Sequence, residues 1–466
     1  MTEHAGGTAD LMVIFGITGD LARKMTFRSL YRLERRKLLD CPILGVASDD
    51  ITVEALVKRA REAIGEHEQI DEKVFDRLAG RFSYLHGDVT DEALYKSLAE
   101  QIGTGRRVLF YLEMPPSLFA PIVENLGKAG LLARARVAIE KPFGYDLASA
   151  RELNERLRAV LDEEQILRVD HFLGKQPVLE LEYLRFANTM LAEVWDRRSI
   201  AEIHITMAEN FGVEDRGRFY DAVGTLRDVV QNHLLQVLAL VAMEPPVGPG
   251  ADDLNDKKAE VFRAMPALDP AHYVRGQYTG YGDVDGVAKG SQTETFVAMR
   301  MEIENWRWAG VPIFLRAGKA LPERVTEVRL FTHRVPVLAF MPERERAERN
   351  QIVLRIDPDP GMRMQLQLVG QGGDSWQNVH LDSSFAHDLG EPVLPYENLL
   401  HAGLTGDRQL FAREDGIEET WRIVQPLLDN PGEVHPYERG SWGPKAAQSL
   451  VRGHRDWQEP WLPDRG

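Results

Sequence analysis

Apolar runs of about five residues, each followed by a helix-length stretch, constrain the first third of this chain more than any other feature. Leu11–Phe15, Ile43–Ala47, Phe82–Leu85, Val108–Leu112 and Val137–Ile139 recur in this way. A long basic amphipathic stretch, Leu21–Leu39, separates the first two. Runs this short, spaced by helical segments, predict a parallel sheet built from βαβ units. The later chain differs. Ile203–Met207, Phe296–Ile303, Val328–Thr332, Ile352–Ile356 and Met364–Leu368 show partial period-2 alternation with few intervening helices. That pattern favours a largely antiparallel sheet. The change falls between Arg185 and Ser199, which predicts a first domain over 1–187 and a second over 188–466. Only 233–290 and the Pro/Gly-rich tail after Asn430 read as loop-rich.

The length of 466 residues fits two or three domains, and 44% hydrophobic residues suffice for a core. With 56 Lys+Arg against 72 Asp+Glu, the net charge is −16. Such a surface repels nucleic acid and anionic lipid, so neither is an expected partner. An anionic substrate requires a local concentration of basic residues. Cys41 is the only cysteine, which excludes an internal disulfide. The N-terminal MTEHAGGTAD lacks the pattern of a signal peptide, and the longest apolar stretch, Val237–Met243, is far short of a membrane span. A cytoplasmic protein is expected.

The first apolar run leads into Gly16-Ile17-Thr18-Gly19-Asp20-Leu21 and then a helix. Glycines at such a turn let backbone N–H groups approach a pyrophosphate, where the helix dipole favours negative charge. The spacing is GxxGxL rather than GxGxxG, and an ordinary βα turn capped by Thr18 or Asp20 would look similar. At the head of repeated βαβ units, the dinucleotide reading is the stronger.

Three later segments are dense in polar residues that are costly to bury. They are Glu140-Lys141-Pro142-Phe143-Gly144, the run Arg168–Lys175 containing Asp170-His171-Phe172, and Arg227–Gln236 containing Asp228, Asn232 and His233. The first two follow strands, where open α/β sheets bind ligands. With these words in view, the sequence resembles the glucose-6-phosphate dehydrogenase family. The resemblance runs through GITGDLA, FYLxxPP (Phe110–Pro116), EKPFG, DHFLGK, Glu209, YDxxG (Tyr220–Gly224), RDVVQNHLLQ, LRAGKAL (Leu315–Leu321) and GSWGP (Gly440–Pro444). It implies an N-terminal Rossmann-type domain and a C-terminal α+β domain with a large, mostly antiparallel sheet and helices. It implies oxidation of glucose 6-phosphate at C1 with hydride transfer to NADP or NAD, the first step of the oxidative pentose phosphate pathway. It also implies a homodimer or homotetramer formed through the sheet domain.

Residue by residue, the resemblance makes His233 the base and Asp170 the group that orients it. A histidine suits this task because its unperturbed pKa lies near working pH. His171 and Lys175, four residues apart at the start of a helix, match phosphate ligands. Glu209 and Asp228 match acceptors for sugar hydroxyls; Lys319 reaches the substrate from the second domain, Arg324, at a position also basic in relatives, is grouped with the substrate-binding residues, and Lys141 bridges cofactor and substrate. Gly16, Thr18, Gly19, Asp20, Leu21, Ser48, Asp49, Asp88, Val89, Pro115 and Lys141 fall on the cofactor side. No metal is expected: the histidines show no ligand spacing. Asp228 and His233 pose a difficulty, since five residues span about 140° of a regular helix and do not share a face.

The chain departs from the family pattern at four places. Phe172 replaces a tyrosine, Met25 replaces a lysine, and Glu113 stands where a small residue is usual. Ser48, followed by Asp49 and Asp50, stands where NADP-using relatives place an arginine. These departures keep two other readings open: an NAD(P) oxidoreductase of another sugar, and a non-catalytic sugar-phosphate or nucleotide sensor.

Overall fold

The computed structural model describes residues 7–338, 347–370, 376–385 and 393–462. It divides into two compact units. The first holds Met1–Gln176, Pro246–Asp256 and Val393–Glu418; the second holds Pro177–Pro245, Lys257–Pro392 and Glu419–Gly466. The sequence places one boundary at 187/188. The observed division falls at Gln176/Pro177 and returns two later segments to the first unit: Phe411–Ala412 pairs with its sheet, and Arg408 and Arg413 bond Asp252.

The first unit is a parallel sheet of β1 (Leu11–Phe15), β2 (Ile43–Ala47), β3 (Phe82–His86), β4 (Val108–Leu112), β5 (Arg136–Glu140) and β6 (Ile166–Val169), edged antiparallel by the two-residue β15 (Phe411–Ala412). Its order is β15-β6-β5-β4-β1-β2-β3. Every residue of β1, β2, β4 and β5 is buried, as continuous apolar runs covered on both faces require. The order reverses between β1 and β4, and at that switch point doubly wound sheets open a ligand crevice.

The basic stretch read as Leu21–Leu39 is helical over Ala22–Thr26, continuing as Phe27–Arg35. It stops earlier than the pattern suggested because Lys37 adopts a left-handed φ of 59° and Leu38 N–H closes onto the Leu33 carbonyl at 2.9 Å. Its buried charges are paired: Arg32 with Glu397 and Glu68 at 2.9 and 3.2 Å, and Glu34 with Arg77 and Arg81 at 2.8 and 2.7 Å.

The second unit is built on a sheet of nine described strands: β7 (Ile200–Ala208), β8 (Tyr273–Tyr278), β9 (Phe296–Met301), β10 (Ile313–Gly318), β11 (Val325–Thr332), β12 (Gln351–Asp357), β13 (Gly361–Val369), β14 (Trp376–Ser384) and β16 (Val434–Tyr437). The order is β14-β13-β12-β11-β7-β10-β9-β8-β16. The β7–β10 and β8–β16 pairs are parallel and the others antiparallel. The segment 233–290, expected to be loop-rich, instead contains the helices Leu235–Ala242 and Ala251–Arg263 and strand β8. Leu235–Ala242 is buried on every side, so it has no polar face to reveal a helical period. Its last carbonyls are held by the buried Arg185, which donates to Leu240 and Met243 at 2.6 and 2.7 Å. Among the described residues, no helix is long and apolar enough to cross a membrane.

Candidate active site

In the first unit, β1 is followed by Gly16, which has φ 80°. A Cβ there would lie 2.3 Å from the Glu113 carbonyl, so only glycine lets the two loops approach this closely. Gly19 N–H donates back to the Gly16 carbonyl at 2.8 Å, closing the turn. Neither Thr18 nor Asp20 caps the helix that follows. No side chain accepts from the first amides at Leu21, and Asp20 lies 3.7 Å from Lys24 instead. A tight glycine turn with uncapped helix amides, at the switch point of a doubly wound sheet, fits a dinucleotide pyrophosphate.

The remaining cofactor-side residues lie at neighbouring strand ends. Ser48 and Asp49 are exposed after β2, and Asp49 lies 3.6 Å from Arg59. Thr52, not Asp49 or Asp50, caps the next helix, accepting from Ala55 N–H at 3.3 Å. Asp88 follows β3 and accepts from the Thr90 backbone and hydroxyl, both at 2.8 Å, which holds its carboxyl below the ordinary value. Val89 is buried beside it, its carbonyl accepting from Tyr95 at 2.7 Å. Pro115 is exposed after β4, and Lys141 follows β5 at a cis bond to Pro142.

At the ends of β4 and β5 lie two carboxyls that the motifs leave without a role. Glu113 pairs with the Thr26 hydroxyl, and Glu140 accepts from Tyr111 at 2.6 Å. Burial pushes Glu113 up to about 8, against the pull of the Thr26 hydrogen bond. Burial likewise pushes Glu140 up to about 7, against the Tyr111 hydroxyl and the Lys141 charge. A carboxyl whose folded-state pKa is raised stabilises the fold below its unfolded value and loses that contribution as pH climbs through the folded value. The melting temperature is therefore expected to fall from pH 5 to 8, and Glu113→Gln to flatten that fall. Parallel curves for the two proteins would show that Glu113 does not titrate in this range.

Asp170, 1% exposed, caps a 3₁₀ turn over His171–Gly174, accepting from Phe172 N–H at 3.0 Å. The next helix starts at Gln176, so His171 and Lys175 do not share a helix start as the spacing suggested. Gly174, the last residue of that turn, is tightly packed. Its carbonyl accepts from Asn398 at 2.9 Å, and a Cβ on it would lie 2.4 Å from the Pro395 carbonyl. His171 stacks on Tyr396, and the Lys175 ammonium sits 4.2 Å over the Phe172 ring. Phe172 lacks the phenol hydroxyl but keeps the ring face that meets the lysine.

In the second unit, Lys319 and Glu209 come together as an ion pair at the ends of β10 and β7. The Lys319 ammonium lies 5.2 Å from the Phe211 ring centre and 5.1 Å from that of Tyr220. Arg324 adjoins Val325, which pairs with Ala208 beside Glu209; its side chain is 58% exposed and bonds Asp357 at 3.1 Å. Asp228 and His233 lie on Leu226–Leu234, which is wound as a π-helix. Its i→i+5 bonding places residues five apart one above the other, so the two do share a face. The 140° separation belongs to a regular helix, which this segment is not.

A Rossmann strand order with an open pyrophosphate turn, joined in one chain to a helix bearing a buried histidine, defines a nicotinamide-dinucleotide oxidoreductase. Comparison with known proteins narrows the class. Residues 13–180 match the glucose-6-phosphate dehydrogenase NAD-binding domain, and 182–458 match the C-terminal domain of that family. Glucose-6-phosphate 1-dehydrogenase 1 of Mycobacterium tuberculosis is 76% identical over 99% of both chains. The Dickeya dadantii enzyme is 37% identical over 96% of this chain and 97% of its own. The crystal structure of the Mycobacterium avium enzyme aligns with a TM-score of 0.93 at 73% identity, over 98% of this chain and all of that one. A glucose-6-phosphate dehydrogenase solved with its substrate glucose 6-phosphate aligns at 0.89 and 32% identity, over 98% and 99%. The chain belongs to the glucose-6-phosphate dehydrogenase family.

Proposed function

We propose that this chain oxidises glucose 6-phosphate at C1 to 6-phosphogluconolactone. The observation that carries the reading is the pairing, within one member of this family, of an uncapped glycine turn with Asp228 and His233 on one helical face. A sensor needs no base, so the retained histidine argues against that alternative. Gly16, Thr18, Gly19, Asp20 and Leu21 hold the dinucleotide pyrophosphate, Ser48 and Asp49 meet the adenine ribose, and Asp88, Val89, Pro115 and Lys141 line its course. The nicotinamide, when bound, accepts the hydride from C1.

His233 takes the C1 hydroxyl proton, and Asp170 is assigned to orient and stabilise that base. Glu209 and Asp228 accept from sugar hydroxyls, while Lys319 neutralises Glu209 and adds a donor. His171 and Lys175 bind the 6-phosphate. Arg324 contributes only by releasing Asp357, which makes it the weakest of the assigned ligands. The family resemblance supports a homodimer or homotetramer through the nine-stranded sheet, and the buried lone Cys41 agrees with a cytoplasmic setting.

Absorbance at 340 nm with glucose 6-phosphate and each of NAD and NADP tests the reading, and no turnover with either would overturn it. The same assay checks Lys175. A cation that meets only the phosphate binds ground and transition states alike, so Lys175→Ala is expected to raise KM for glucose 6-phosphate. A hydrogen bond to a charged group contributes about 1.5–3 kcal/mol, roughly a 10- to 150-fold effect. Turnover of unphosphorylated glucose should change little, and equal losses on both sugars would assign Lys175 to the fold or to the chemistry.

A further inference from the structure

Glu294 lies just before β9, is 6% exposed, and belongs to none of the recognised motifs. Its Oε1 accepts from the Leu226 N–H at 3.0 Å, at the first residue of the helix bearing Asp228 and His233. Its backbone carbonyl accepts from the Thr225 N–H at 3.1 Å and the Thr225 hydroxyl at 3.2 Å. The Thr225 hydroxyl also meets Tyr220 at 2.7 Å, and Arg275 stands 3.6 Å from Glu294 Oε2. Gly224 permits this approach: at φ 72° it adopts a turn other residues disfavour, and a Cβ there would lie 2.5 Å from Oε1. Leu226 and Thr225 are themselves buried, so without Glu294 their amides would have no water to turn to.

The other end of the helix is also held by side chains. Asn232 donates to the Arg227 carbonyl at 3.3 Å and accepts from the His233 N–H at 2.7 Å, inserting into the backbone ladder. Gln231 donates to the Thr420 hydroxyl at 3.0 Å. The wide winding is therefore fixed at both ends, and only that winding puts Asp228 and His233 on one side. The same segment reaches a third functional residue, because the Thr295 carbonyl accepts from Lys319 N–H at 2.9 Å.

We propose that Glu294 is a positioning residue for the proton-transfer step: by holding the first amide of the π-wound helix, it sets the direction in which Asp228 and His233 point. The proposal rests on the reading of His233 as the base. Ionic pairing with Arg275 is secondary to this reach. Glu294→Gln keeps an oxygen at the same reach without the charge, whereas Glu294→Asp keeps the charge and falls one methylene short.

Small misplacements of a catalytic group are costly, so Glu294→Asp is expected to lower kcat about tenfold or more, with KM for the dinucleotide unchanged. The deuterium isotope effect with [1-²H]glucose 6-phosphate should rise in that variant as the chemical step becomes slower. Glu294→Gln should restore kcat to near wild type. Circular dichroism melting of both normalises activity to folded protein. A wild-type kcat in Glu294→Asp, or an equal loss in Glu294→Gln, would overturn the proposal. Full activity in His233→Asn would instead remove the assignment of the base, which is a separate failure.

Discussion

Replacing His233 by asparagine is expected to leave the protein folded and able to bind both substrates, while kcat falls by two to four orders of magnitude. The imidazole is 2% exposed on a helix held by hydrogen bonds from Asn232, Gln231 and Glu294. Asparagine fills part of the space and keeps polar atoms there, so the helix should persist. What disappears is a base able to take the C1 hydroxyl proton as the C–H bond breaks, a contribution of roughly 10²–10⁴-fold. Steady-state kinetics separate the outcomes: kcat falls, while KM for both substrates moves little. A variant that stays folded and retains more than about a tenth of wild-type kcat would exclude His233 as the base, since a general base contributes at least about a hundredfold.

Much of the parallel sheet is legible in the sequence because its strands are continuous apolar runs. Leu11–Phe15, Ile43–Ala47 and Val108–Leu112 coincide residue for residue with β1, β2 and β4. In the second unit, alternation finds all of β9 and parts of β7, β11, β12 and β13, but misses β8, β10, β14 and β16. The interior Arg316 of β10 hides that strand. It is buried between Trp442 and Trp457, donates to the Gln458 carbonyl at 2.7 Å, and burial lowers its pKa to about 10. A strand can thus carry a charge inward when a later segment of chain supplies the partners, and no local pattern reports that. The site is legible in its residue types but not in its local geometry. Motifs pick out Asp228 and His233, yet their shared face depends on π-winding set by Glu294, 61 positions beyond His233 in the sequence. His171 and Gly174 likewise lie in a 3₁₀ turn before the helix at Gln176, with Gly174 packed against Pro395 and Asn398, which sequence spacing cannot show.

NAD is expected to serve this chain at least as well as NADP. A carboxylate after the second strand hydrogen-bonds a ribose 2′-hydroxyl and repels a 2′-phosphate. At about 5.5 Å and an effective dielectric near 20, one unit charge contributes roughly 3 kcal/mol of repulsion. Asp49 is 48% exposed and lies 3.6 Å from Arg59, so screening reduces that to about half or less. With Ser48 in place of an arginine, NADP also forgoes a charged hydrogen bond of about 1.5–3 kcal/mol. Arg23 and Lys24, which follow the glycine turn, each have only an exposed carboxylate partner: Arg23 bonds Glu66 at 2.7 Å, and Lys24 lies 3.7 Å from Asp20. Asp49 is not occupied as a helix cap, because Thr52 fills that position. Ser48→Arg should therefore shift the kcat/KM ratio toward NADP by roughly 10- to 150-fold, the equivalent of one charged hydrogen bond. Asp49→Asn should shift it further in the same direction. Measuring kcat/KM for both cofactors in the three proteins decides the matter, and a hundredfold preference for NADP in the unmodified enzyme would mean that another cation, with Arg59 the nearest to Asp49, holds the 2′-phosphate.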